Sequence, residues 1–214
     1  LRIWGVSGEL VAAIGGLLGG GVPRTLVAAR PSWQGADPLW STAWREVTLA
    51  PSDPLHGEAW LLGDAGCAVG DSLAADLVAR GATIRRHPLG CGIAPVEDCA
   101  GIVLLPLPAP SQEMPAGGEA LQADAEKLCR EANDLATAAL RCARPPRLVV
   151  VTCGAQHVDG SETCVAGIAQ AALWGWRSSL ALEQPALRAK AVDLDPDSAA
   201  SDGSMLAAEV LAAD

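Results

Sequence analysis

The chain has 214 residues, with 15 Lys and Arg against 25 Asp and Glu, a formal net charge of −10. So acidic a surface repels a phosphate backbone and excludes a nucleic-acid binder of the basic-patch kind. Half of the residues are hydrophobic, too many for a disordered segment and enough for a buried core, in one domain with a short appendage.

In chain order, Leu1–Arg30 reads as a short strand or helix followed by a glycine-rich link, taken as a linker or the tail of a preceding domain. A proline–tryptophan stretch, Pro31–Pro38, comes next. Leu39–Leu49 alternates apolar and polar as a strand does, with Trp40 and Trp44 on one face. Ala59–Leu62 is a short strand ending at Gly63. Asp71–Arg80 is a helix with Leu73, Leu77 and Val78 on one face and Gly81 as its stop. Strands follow at Ala82–Arg86 and Gly101–Leu105, then a loop over Pro108–Gly118.

Glu119–Cys142 is the longest helix. Leu121, Ala125, Leu128, Ala132, Leu135, Ala139 and Cys142 recur on one face, and Pro145 and Pro146 end it. Leu148–Val151 has the β-branched character of a strand buried on both sides. Thr163–Glu183 is a helix with Val165, Ile168, Ala172, Leu173, Trp176 and Leu180 expected inward and Pro185 as stop. Ala189–Leu194 is a strand and Ser204–Ala213 a last helix. Strands alternating with helices predict an α/β fold: a mostly parallel sheet with helices on both faces.

The chemistry available is narrow. The sequence holds seven Trp but no Tyr and no Phe, so a phenol cannot act as a general acid. Lys127 and Lys190 are the only lysines. The first strand–helix turn, Gly63 to Gly70 (GDAGCAVG), stands where a Rossmann fold cradles a pyrophosphate on open backbone N–H groups. Its glycine spacing matches neither usual dinucleotide pattern. Asp64 and Asp71 bring carboxylates there, which satisfy the helix dipole and oppose a phosphate. At 4 Å two like charges repel by about 1 kcal/mol in water and several at lower effective dielectric. The reading is a turn that keeps strand–helix packing and binds no cofactor.

The strand–loop VVVTCGAQHVD (Val149–Asp159) occupies the place of a short-chain reductase's catalytic serine strand. It offers Thr152 and Ser161 with no tyrosine to follow. Cys153 is a conceivable thiol nucleophile, with no evident base beside it in sequence. His87-x3-Cys91-x7-Cys99 and His157-x6-Cys164 depart from structural-zinc spacing, and His56 stands alone, so no metal site is expected. No nucleophile elbow or Walker loop is present. The seven cysteines, Cys67, Cys91, Cys99, Cys129, Cys142, Cys153 and Cys164, include no CxxC pair and suit free buried thiols in a reducing cytoplasm. Leu10–Val22 is glycine-broken and too short to span a bilayer, residues 1–22 lack a signal-peptide layout, and the initial Leu suggests a piece of a longer chain.

Several strings, in order and spacing, resemble the structural subdomain of ketoreductases in modular type I polyketide synthases. They are PLWSTAWREV (Pro38–Val47), WLLGDAG (Trp60–Gly66), ADLVARGATIRRHPLG (Ala75–Gly90), DCAGIVLLPLP (Asp98–Pro108), RLVVVTCGAQ (Arg147–Gln156) and AQAALWGWRSSLALEQPALRAKAVDLD (Ala169–Asp195). Leu1–Leu18 is similar to the exit of a dehydratase domain. Cys67, Cys153, Arg177 and Ser178 depart from the family's usual residues.

The resemblance implies a truncated Rossmann-like fold over residues 38–214, with 1–37 as the preceding tail. It implies no catalytic, cofactor-binding or metal residue in this chain, and NADPH held instead by an adjoining catalytic subdomain. The expected partners are that subdomain, neighbouring dehydratase or enoyl reductase domains and, indirectly, an acyl carrier protein. The packing role is expected of Trp40, Trp44, Trp174, Trp176 and the Leu121–Leu135 stripe. Two rival readings are a nucleotide-binding domain resembling the cofactor domain of enoyl reductases, and a pseudo-ketoreductase half beside a methyltransferase.

Overall fold

In the computed structural model the described residues are 2–4, 10–13, 55–64, 66–92, 95–107, 117–156, 165–196 and 203–212. The chain divides into two compact units, Leu1–Ala43 and Trp44–Asp214. The first contains an antiparallel pair, β1 (Arg2–Trp4) and β2 (Leu10–Ala13), with a register shift between Ile3 and Trp4. The expected strand over Leu39–Leu49, with Trp40 and Trp44, lies outside the described residues.

The second unit runs β3 (Ala59–Asp64), α1 (Ala68–Ala79), β4 (Thr83–Pro88), β5 (Cys99–Leu105), α2 (Gly118–Leu140), β6 (Arg147–Cys153), α3 (Val165–Glu183), a 3-10 turn (Pro185–Leu187), β7 (Lys190–Leu194) and α4 (Gly203–Leu211). Its five strands are all parallel, in the order β4-β3-β5-β6-β7. Numbered within this sheet the order is 2-1-3-4-5. A doubly wound sheet of order 3-2-1-4-5-6 becomes this one when its third strand is removed, so the expected truncated α/β architecture is present. The β4 strand is left as a margin of the sheet, and β5 is reached through the connection 89–98, which has no helix among its described residues.

Strand periodicity divides the core cleanly. Leu62, Val103, Leu105, Val149 and Val151 point to the face covered by α1 and α4, where Leu73, Leu77, Leu206 and Val210 meet them. Leu61, Ile102, Leu104, Leu148 and Val150 point to the other face, against Ala132, Leu135, Ala136 and Ala139 of α2 and Leu173 and Leu180 of α3. Successive side chains of a strand alternate, so continuous apolar runs in β3, β5 and β6 supply both faces at once.

Helix α1 ends as the sequence suggests. Gly81 has φ +100°, its N–H donates to the Val78 carbonyl at 2.9 Å, and Ala82 N–H donates to Leu77 at 3.0 Å, a Schellman closure. Two expectations about helix faces are corrected. Val78 is not on the inner face of α1; it is 54% exposed. Ile168 and Ala172 do not face inward from α3; Ile168 is 58% exposed and Ala172 is exposed as well. Apolar and small residues lie on both sides of α3, so hydropathy did not set its rotation. Steric approach did: a Cβ on Gly167 would collide with the carbonyl of Gly154 at the end of β6.

Candidate functional site

In an open parallel sheet ligands gather at the carboxyl ends of the strands, where strand order reverses. Here that point lies between β3 and β5, beside the glycine turn. The turn is shorter than the sequence suggests. Helix α1 begins at Ala68, not at Asp71, so Val69 and Gly70 already belong to it, and Cys67 is its N-cap. The Cys67 Sγ accepts the Gly70 N–H at 3.4 Å. Burial is the main reason its thiol lies above its usual value; the Asp64 and Asp71 carboxylates push the same way, against the Gly70 N–H.

Asp64 is 5% exposed at the end of β3. Its Oδ1 accepts the Gly66 N–H at 3.1 Å. Its Oδ2 stands 3.2 Å from Arg86 Nη1, at ion-pair distance but without hydrogen-bond alignment. Arg86, at the end of β4, also holds Asp71 Oδ1 at 2.7 Å and donates to the Gly70 carbonyl at 3.0 Å. A Cβ on Gly70 would lie 2.5 Å from Asp64 Oδ2, so the carboxylate fills the hollow that the glycine leaves. Carboxylate, guanidinium and second carboxylate close the turn on itself.

The end of β6 is closed in the same manner. Thr152 is fully buried; its hydroxyl donates to Asp193 Oδ1 at 2.6 Å and accepts from Trp174 Nε1 at 2.9 Å. The Ala155 N–H donates to Asp193 Oδ1 at 3.0 Å and the Gln156 N–H to Asp193 Oδ2 at 2.8 Å. Gln170, buried on α3, accepts the Cys153 N–H at 2.8 Å and donates to the Pro106 carbonyl at 3.3 Å. Thr152 is therefore not open to a substrate. Asp193 and Gln170, which organise this end, carry no signal in the sequence: each belongs to no motif and shares its element with other polar residues.

The remaining candidates do not converge. His87 is half-buried, with Nε2 3.2 Å from the Gly92 carbonyl, and His56 is exposed. Among the described residues no group of three or more His, Cys, Asp or Glu could hold a metal. Ser161, His157 and Cys164 lie outside the described residues. The described cysteines are free, and they are less uniformly buried than expected: Cys67 and Cys99 are buried, Cys129, Cys142 and Cys153 intermediate, and Cys91 exposed. Among the described residues no helix is long and apolar enough to cross a membrane.

A depression of about 1020 Å³ opens at the opposite end, among the amino ends of the strands, lined by residues that include Trp60, Cys99, Arg141, Cys142 and Arg147. That is the wrong end of a doubly wound sheet for a dinucleotide.

Fold and strand order thus define a Rossmann-like domain with a sealed first turn. The Rossmann fold domain of the polyketide synthase extender module SpnB matches residues 42–214, and the chain belongs to that family. No functionally curated protein matches the chain in sequence. Among solved structures it is similar to a carbonyl reductase from Pseudomonas aeruginosa PAO1 in complex with NADP, with 16% identity and a TM-score of 0.51, over 72% of this chain and 90% of that one. It is also similar to an enoyl-(acyl-carrier-protein) reductase from Anaplasma phagocytophilum in complex with NAD, with 12% identity and a TM-score of 0.51, over 77% of this chain and 88% of that one. At these identities the likeness is one of fold.

Proposed function

We propose that this domain is the non-catalytic structural half of a polyketide synthase ketoreductase, covering 38–214 and preceded over 1–37 by the tail of a dehydratase domain. It binds no nicotinamide cofactor; NADPH and the proton-donating tyrosine belong to an adjoining catalytic half. That unit reduces β-ketoacyl chains on an acyl carrier protein in the cytoplasm.

The observation that carries the reading is the occupied turn. A pyrophosphate needs the amides of Gly66 and Gly70, but Asp64 accepts the first and Cys67 the second. Arg86, the cation that reaches the turn among the described residues, is held by two carboxylates. A phosphate arriving there would meet Asp64 at the repulsion given above and would have to displace a buried charge from its hydrogen bond. The turn does not fit the group. The missing tyrosine and the sealed Thr152 support the same conclusion at the other end of the cleft.

The partner surface runs along α3 and the first half of α2. Ile168, Ala172, Gly175, Ser179 and Leu182 form an exposed stripe at helical spacing, with Leu182 86% exposed. Leu121 and Leu128 of α2 are only half-buried. Trp174 and Trp176 are half-buried on the same helix and add to that contact. Titration of the 214-residue chain with NADPH, read by cofactor fluorescence, is expected to show no saturable binding in the micromolar range. Micromolar binding would overturn the proposal in favour of a nucleotide-binding domain.

A further inference from the structure

At the amino ends of the strands, away from the glycine turn, two cysteines meet. Cys99 opens β5 and Cys142 follows the last turn of α2. One carbonyl ties them together: Val96 accepts the Cys99 N–H at 3.3 Å and lies 3.9 Å from Cys142 Sγ. The preceding carbonyl, Pro95, lies 3.9 Å from Cys99 Sγ. Both cysteines line the depression of about 1020 Å³, which gives small solutes a path to them.

We propose that Cys99 and Cys142 are a peroxide-oxidisable thiol pair that closes to an intrachain disulfide between β5 and α2. The assignment of roles follows from the neighbours. Burial raises both thiols and Asp98 pushes both the same way, but Arg85 Nη1 stands 3.9 Å from the Cys99 sulfur and offsets part of that, whereas Cys142 is pushed further by Glu97. Cys99 is therefore the attacking sulfur and Cys142 the resolving one. In the first step the Cys99 thiolate attacks one oxygen of hydrogen peroxide. An S–O bond forms, the O–O bond breaks, and hydroxide leaves and takes the thiol proton as water, giving a sulfenic acid. In the second step the Cys142 sulfur attacks the Cys99 sulfur. The S–S bond forms, the S–O bond breaks, and the sulfenic hydroxyl leaves with the Cys142 proton as a second water. Peroxide accepts the two electrons.

The disulfide would close the loop formed by β5, its connection and α2, and so restrict the unfolded chain. The test is to treat the full chain with hydrogen peroxide, alkylate it and map its peptides without reduction. The expected result is a peptide joining Cys99 to Cys142, a melting temperature raised by several degrees, and reversal of both by dithiothreitol. In Cys142→Ser the joined peptide disappears and dimedone labels Cys99 in its place. Exposed Cys91 serves as the internal comparison. Recovery of Cys99 and Cys142 as separately alkylated peptides after peroxide would overturn the proposal, as would their joining to other cysteines. The mapping uses the unaltered chain, so the conclusion does not depend on a variant folding.

Discussion

Arg86 pairs with two carboxylates that are visible in the sequence. Asp64 and Asp71 both stand at a helix amino terminus, where each opposes a phosphate. Their repulsion of phosphate was legible in that placement; the cation that pairs with both was not, because it arrives from the next strand. Single sequences show charges, while pairing across strands depends on register, here His87 beside Gly63 and Arg86 beside Leu62.

A second carboxylate is less well placed. Glu131, half-buried on α2, is raised above 4.5 chiefly by burial; Asp134 pushes the same way and Lys127 pulls it back. Its folded form therefore binds a proton more tightly than the unfolded chain does. The contribution is fully present below about pH 4.5 and is lost as pH rises through the higher folded value. Glu131→Gln is expected to stabilise the protein above that window by less than about 1 kcal/mol, because the group is still partly solvated, and to change little below it. Thermal melts of the two proteins between pH 4 and pH 7, in steps of about half a unit, measure this.

Among the elements, glycine and proline signals placed the helix carboxyl ends well, and hydropathy placed the inner faces of α1 and α2 apart from Val78 but not the rotation of α3. Gly81 closes α1 where its position suggests, and Pro185 stands just after α3. The α3 helix, in contrast, carries Ala, Leu, Trp and Gly around its whole circumference, so no apolar stripe stands out. Its rotation is fixed by a close backbone approach and by Gln170 reaching the chain at Cys153 and Pro106. Gly167→Ala puts a methyl group against a carbonyl that the strand cannot move. It is expected to cost about 1–3 kcal/mol, as overpacking does, with faster amide exchange at Gly154–Gln156, where Asp193 holds the loop. Urea denaturation and hydrogen exchange report the two effects.

Across the whole molecule, the parallel α/β class was legible because β3, β5 and β6 are unbroken apolar runs separated by helical spacings. The order of the strands was not, since periodicity says which residues are buried and nothing about which strands adjoin. The terminal pair β1–β2 belongs to a separate unit, where the sequence left strand and helix equally open.

Loss of one strand from a doubly wound sheet turns an interior strand into a border. Among the described strands β4 pairs with β3 alone, and its outer amides and carbonyls resemble a half-made ladder. The residues there are Arg85, Arg86, His87 and Pro88. Cations discourage a second copy from lying alongside, and proline removes a donor. Replacing Arg85 and Arg86 by Val together should let this border seed polymers, seen as light scattering that grows with concentration while the native chain stays clear.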